Sequence, residues 1–247
     1  GGFIRLFYGS TLHERQVVVT YIHEETWQGP IPERKGKNLP KITEKLKNGE
    51  KVNVVFCGDS ISTGENSSGA KTTYAVPMIP TWMELVMEGL KQTYPKADMN
   101  YINTAVGGTV VNWGAENADK LMADKEPDLL ILGFGMNAAG FKPNVFKGYI
   151  EQIIEKVLAK NPDCEIVLIA TMLPNIEVNG FWSEQTNYRT VLKELEKTGI
   201  VMANMTEIHE YMLTKKRFMD MTGNNVNHPN DYLARAYAQV ILETIYE

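Results

Sequence analysis

The chain has 247 residues, 43% of them hydrophobic and 22% charged, which suits one large soluble domain, or a medium one with a small appendage, whose core needs neither metals nor disulfides. A net charge of −5 with no long basic run argues against nucleic acid or an anionic membrane as the main partner, and no stretch approaches the roughly 20 apolar residues of a membrane span. The start Gly1-Gly2-Phe3 fits a processed form, a tag remnant or a piece of a longer chain, so location is not read from it.

Residues 1–28 differ from the rest. Phe3-Ile4-Arg5-Leu6-Phe7-Tyr8 and Gln16-Val17-Val18-Val19-Thr20-Tyr21-Ile22 are rich in β-branched and aromatic residues and are separated by a Gly-Ser turn region. They predict a short N-terminal β segment, a strand pair that packs on the rest of the chain or remains from a missing module. The breaker-rich Gly29-Pro30-Ile31-Pro32 opens a linker and lead-in over residues 29–50.

Residues 51–247 then alternate strand, loop and helix. Val52-Asn53-Val54-Val55-Phe56-Cys57 is a continuous apolar run, the mark of a strand covered on both faces. Residues 82–94 have helical apolar spacing and stop before Pro95, and residues 99–103 read as a second strand. Helix over 117–124, strand over 129–134, helix over 145–159, strand over 165–171, helix over 186–197, strand over 200–203 and a closing helix over 232–246 complete the pattern. Cys57 and Cys164 fall in strand-like runs and read as buried free thiols. Such alternation implies an α/β domain, a parallel sheet with helices on both faces, with chemistry in the loops at the carboxyl ends of the strands.

Those loops hold four suggestive blocks. Gly58-Asp59-Ser60 follows the first strand; a serine there presents its hydroxyl beside free backbone N–H groups, as a nucleophile requires. The second strand leads into Asn103-Thr104-Ala105-Val106-Gly107-Gly108-Thr109, and the third into Gly135-Met136-Asn137-Ala138. Backbone at the glycine pair and the Asn137 amide supply candidate donors for an oxyanion. The base must be one of four histidines. His13 and His23 precede the α/β unit, and His209 sits in a predicted helix as a structural residue. His228, in a loop pinned by Pro229 before the last helix, is the candidate. No H-E-x-x-H or clustered Cys/His set occurs, so no metal or other cofactor is expected.

In this order the blocks resemble the SGNH (GDSL-type) hydrolases, over about residues 52–247. The resemblance implies a flavodoxin-like three-layer fold and metal-free ester hydrolysis, with Ser60 as nucleophile and His228 as base. It also implies an oxyanion hole formed by the Ser60 N–H, the Gly108 N–H and the Asn137 side chain. Two positions depart from the family pattern. Ala138 stands where an Asp usually follows the Asn, and Asn225 stands where an Asp usually precedes the His by three residues. In serine proteases an Asp-to-Asn change costs about four orders of magnitude by fixing the wrong tautomer. The expectation is therefore a Ser–His dyad or Asn225 as a neutral orienter, with Asp220 and Asp231 as the nearby acids.

Trp113 and Trp182 follow two of these strands and suit stacking on sugar rings. The N-terminal strands resemble those of multidomain SGNH carbohydrate esterases, in which a β-sandwich module precedes the hydrolase, and with the tryptophans this resemblance makes an acetylated plant polysaccharide or oligosaccharide the expected substrate. The alternatives are a general short-chain lipolytic esterase or thioesterase, and a non-catalytic carbohydrate-binding protein on a hydrolase fold.

Overall fold

The computed structural model describes residues 12–17, 19, 22, 24–138 and 140–247. Five strands, β1 (Lys51–Gly58), β2 (Asp98–Asn103), β3 (Leu129–Gly133), β4 (Glu165–Ala170) and β5 (Ile200–Asn204), form one sheet in the order β2-β1-β3-β4-β5. Every pairing is parallel. This is the flavodoxin-like order, in which the strand sequence reverses between β1 and β3 and opens a crevice at their carboxyl ends. Gly58 and Gly133 are register partners there, so the loops after β1 and β3 leave the sheet side by side.

The helices are α1 (Pro40–Asn48), α2 (Trp82–Thr93), α3 (Val111–Glu116), α4 (Ala118–Leu121), α5 (Pro143–Lys160), α6 (Gln185–Lys193), α7 (Met205–Leu213), α8 (Phe218–Met221) and α9 (Asp231–Ile245). The period of two along each strand sorts side chains between the two faces. Val54, Phe56, Leu129, Ile131, Val167 and Ile169 enter a core closed by α1, α2, α7 and α9. Val55, Cys57, Leu130, Leu132, Ile166 and Leu168 enter a second core closed by α3 to α6. Strands buried on both faces are why the sequence shows continuous apolar runs there rather than alternation. Cys57 and Cys164 are free and buried, and burial pushes their thiols up to about 11 and about 12.

Several boundaries differ from expectation. The helix expected over 117–124 is a broken series, α3, α4 and the 3-10 turn Ala123–Lys125. The helix expected over 186–197 ends at Lys193. The lead-in over 29–50 contains α1, started by Pro40 at its first position and ended by Gly49 at φ 74°, the proline-first, glycine-after arrangement that favours a helix. It is bound to the domain: the Lys35 ammonium donates to Glu196 at 2.5 Å and to the Met202 carbonyl at 2.9 Å.

Of the expected N-terminal strand pair, residues 3–8 lie outside the described residues. Gln16, Val17, Val19 and Ile22 belong to no strand, and Val17, Val19 and Ile22 are exposed. The described part of this segment instead makes a 3-10 turn, His13–Arg15. Among the described residues no helix is long and apolar enough to cross a membrane.

Candidate active site

The chain leaves β1 at Gly58, where a Cβ would run into the Gly133 carbonyl oxygen; only glycine lets β1 and β3 approach so closely at the crevice. Asp59 and Ser60 then begin a tight turn in which the Asp59 carbonyl accepts from the Ser62 and Thr63 N–H groups. The Asp59 carboxyl is buried. Oδ1 accepts from the Ile61 N–H at 3.0 Å and Oδ2 from the Met136 N–H at 3.3 Å. It thereby ties the Ser60 loop to the loop after β3. Burial raises this carboxyl to about 7, against the pull of those N–H donors.

Ser60 and His228 are brought together across the crevice, with Ser60 Oγ 2.8 Å from His228 Nε2. Both are 8% exposed, so the hydroxyl is reachable but largely dry. Burial lowers the imidazole to about 4, so at neutral pH the ring is uncharged. The loop that carries it is built on Asn224, whose side-chain oxygen accepts from the N–H groups of Val226, Asn227 and His228. Such an Asn-centred turn fixes the backbone locally.

The other ring nitrogen corrects the sequence-based expectation. His228 Nδ1 lies 2.6 Å from Oδ1 of Asn66, six residues beyond Ser60 in the β1 loop. Asn225 is not that partner; its side-chain oxygen lies 3.4 Å from Asn175 Nδ2. The backbone explains the difference: Asn225 takes φ 55° in the turn around Asn224, while Asn66 reaches His228 from a different loop. The other acids are also engaged elsewhere, Asp220 with Arg217 and Asp231 with the Ser68 N–H at 2.7 Å. No spacing in the sequence marks Asn66, because its partner lies 162 positions away.

Of the loops expected to carry the oxyanion donors, the one after β2 runs next to Ser60. A Cβ on Gly107 would stand 3.7 Å from that of Ser60, and Gly108 takes φ 77° with open space above it. The N–H groups of Ser60 and Gly108 donate to no acceptor among the described residues. Asn137 Nδ2 donates to the Thr109 carbonyl at 3.0 Å, which sets its amide against the Gly108 loop. Ala138 is buried in the second core, where a carboxylate would lose its hydration. Trp113 is half-buried in α3, and Trp182 is 42% exposed in the segment after β4.

His209 is distinct from this group. It is fully buried in α7, its Nδ1 accepts the Leu173 N–H at 3.0 Å, and burial lowers it to about 3. A groove of about 650 Å³ lined by Ile31, Lys35, Arg189, Lys193 and Met202, among others, shares no residue with the Ser60 crevice. Among the described residues no group of three or more His, Cys, Asp or Glu side chains is placed to hold a metal ion.

The model of the GDSL-like lipase/acylhydrolase family matches residues 56–236, from within β1 to within α9, so it spans all four loops. No curated protein matches the chain. Among solved structures, a two-domain esterase active on acetylated mannans, co-crystallised with mannopentaose, has a TM-score of 0.66 at 24% identity. That match covers 84% of this chain and 53% of the other, so this chain spans about half of that protein's length. A catalytic variant of an acetylxylan esterase from Geobacillus stearothermophilus matches with a TM-score of 0.61 and 14% identity, over 78% of this chain and 94% of that one. A carbohydrate esterase family 3 protein from Talaromyces cellulolyticus matches with a TM-score of 0.60 and 15% identity, over 77% and 94%. At these identities the likeness is one of fold.

Proposed function

This chain belongs to the GDSL-like lipase/acylhydrolase family, and from that premise we propose that it is a serine esterase removing acetyl or similarly short acyl groups from carbohydrate. The observation that carries the reading is the 2.8 Å contact between Ser60 Oγ and His228 Nε2, at the strand ends beside unpaired N–H groups. Ser60 Oγ attacks the ester carbonyl carbon while Nε2 takes the hydroxyl proton. The carbonyl oxygen becomes an oxyanion, with the Ser60 and Gly108 N–H groups and the Asn137 amide as its donors. Collapse breaks the bond to the sugar oxygen, which leaves with the proton held on His228. Water then attacks the acyl-Ser60 ester by the same route, releasing the carboxylic acid and restoring the hydroxyl.

A neutral imidazole is the form this base needs, and burial keeps it neutral. The substrate class draws support from the fold's likeness to esterases described as acting on acetylated mannans and acetylxylan. Trp113 and Trp182, neither fully buried, are the aromatic candidates for stacking on a sugar ring. The test compares wild type with Ser60→Ala on a chromogenic acetate, then on acetylated manno- and xylo-oligosaccharides and on longer acyl chains. The variant should lose essentially all turnover with an unchanged melting temperature. Wild-type turnover in Ser60→Ala would refute the nucleophile. Preference for long acyl chains over acetylated sugars would refute the substrate class and favour a general lipolytic esterase.

A further inference from the structure

An imidazole serves as base only in the tautomer whose lone pair faces the nucleophile, and the hydrogen bond at its other nitrogen selects that tautomer. We propose that Asn66 is the positioning residue of this site, its side-chain oxygen accepting the Nδ1–H of His228 and leaving Nε2 free to take the Ser60 proton. This rests on the serine esterase reading above and adds the group that the family-based pattern placed at Asn225.

Several observations converge on Asn66. Its Oδ1 is 2.6 Å from Nδ1 of His228. The residue is wholly buried, so water does not compete for the contact. It takes φ 62°, a conformation asparagine tolerates better than most residues, and its backbone carbonyl is pinned by His13 Nε2 at 2.7 Å. Its Nδ2 is buried and has no hydrogen-bond partner among the described residues, a cost that an amide filling space would not need to carry. The two loops are also in direct contact: a Cβ on Gly223 would collide with the Asn66 carbonyl and Cβ, and the Gly223 N–H donates to the His228 carbonyl at 3.0 Å.

Orientation of the amide is the crux. With Nδ2 turned toward the ring, Nδ1 would have to accept, Nε2 would carry the proton, and Ser60 would face a donor instead of a base. With Oδ1 turned toward the ring, the chemistry runs, without the charge that a carboxylate would place beside the imidazolium. Asp59, Asp231 and Asp220 do not supply that charge. Asp59 is held by the Ile61 and Met136 N–H groups, Asp231 by the Ser68 N–H and Asp220 by Arg217. His13 sits on the Asn66 carbonyl, and Glu65 adjoins Asn66 in the chain. Burial alone moves the His228 ring from its ordinary range.

The experiment combines nitrogen NMR of histidine-labelled protein with kcat, KM and pH profiles for wild type, Asn66→Ala and Asn66→Asp. In wild type, His228 should carry its proton on Nδ1. Asn66→Ala should lose the fixed tautomer and lower kcat by roughly tenfold or more, with little change in KM, as a positioning defect does. Asn66→Asp should fold, since Asp tolerates the same backbone. Its acidic limb of activity should move upward by about one pH unit or more, because a carboxylate at Nδ1 holds the imidazolium proton more tightly. A wild-type His228 protonated on Nε2 would overturn the proposal, and that reading needs no variant to fold. So would an Asn66→Asp profile that superimposes on wild type, or an Asn66→Ala kcat within about threefold of it. Full activity in Ser60→Ala would instead refute the esterase reading itself, so the two failures are distinct.

Discussion

Asn66 and Asn225 both sit at positive φ, 62° and 55°, yet only one of them meets His228. Chain proximity favours Asn225, three residues before the histidine; the turn built on Asn224 sends its side chain toward Asn175 instead. Replacing Asn225 with Gly, which accepts the same backbone without strain, should leave kcat within about fivefold of wild type, as expected for a residue outside the reacting set. A loss comparable to that of His228→Ala would return Asn225 to the site. Asn137→Ala should lower kcat by roughly 10²–10³, with a smaller effect on KM, the usual worth of one oxyanion donor; a loss below about threefold would make it a loop residue. The pH profile is set by burial. Above about 4 the His228 ring is neutral and can accept a proton, so the acidic limb of kcat/KM should lie well below the ~6.5 of an ordinary histidine. A limb centred near 6.5 would show that the ring is hydrated in the free enzyme.

At the scale of an element, α1 shows how a segment that reads as a lead-in becomes part of the fold. Glu165, the first residue of β4, is buried, and its two carboxylate oxygens accept the Lys41 and Ile42 N–H groups at 3.2 and 2.9 Å. Those are orphan donors of the first turn of α1, and a negative charge there also suits the helix dipole. Glu165→Ala strands both donors in a dry setting and should cost about 1–3 kcal/mol, or roughly 2–4 °C of melting temperature per kcal/mol for a chain of this size. Because Glu165 begins β4, at the end of the sheet opposite Ser60, kcat should not change. A drop in kcat without a drop in melting temperature would mean the two ends of the sheet are coupled. Gly58 illustrates the reverse case at the site itself: Gly58→Ala would force β1 away from the Gly133 carbonyl. It should cost about 1–3 kcal/mol, as overpacking does, and lower activity as well.

For the whole molecule, buried ionisable groups set how stability varies with pH. His209 and His228 are held neutral down to about 3 and about 4, whereas in the unfolded chain each protonates near 6.5. Between about 6.5 and 4 the unfolded state therefore binds two more protons at these sites, and stability falls as pH falls, by up to about 1.4 kcal/mol per pH unit for each. Asp59 acts in the opposite sense. Raised by burial to about 7 from the ordinary carboxylate range, it holds a proton in the folded state that the unfolded state gives up, so its contribution is lost as pH rises through 7. Glu165, its carboxyl also raised by burial, adds to Asp59 only toward the acidic end of this range, so the two histidines leave a net loss on acidification from 6.5 to 5. Urea midpoints measured from pH 7 to 5 should fall, and His209→Leu should flatten that decline whatever it does to absolute stability. An unchanged slope in the variant would show that His209 is not the buried neutral group described here.

The apolar runs at residues 52–57, 129–134 and 165–171 by themselves determined a parallel sheet covered on both faces, since only burial on both sides removes the period-two alternation. Ser60, Gly108, Asn137 and His228 could be singled out as candidates because each follows a strand or precedes the last helix, and short-range order along the chain carries that information; the structure brings Ser60 and His228 together. The broken α3–α4 region was not: its limits depend on packing against α5 more than on local propensity. Nor was the partner of His228. That contact joins residues 162 positions apart, and which of several nearby polar side chains reaches the ring depends on loop conformations settled by His13, Gly223 and Asn224. A hydrogen bond is decided within tenths of an ångström, whereas sequence order places a residue only within a loop. Tertiary structure alone chose Asn66 over Asn225, Asp220 and Asp231.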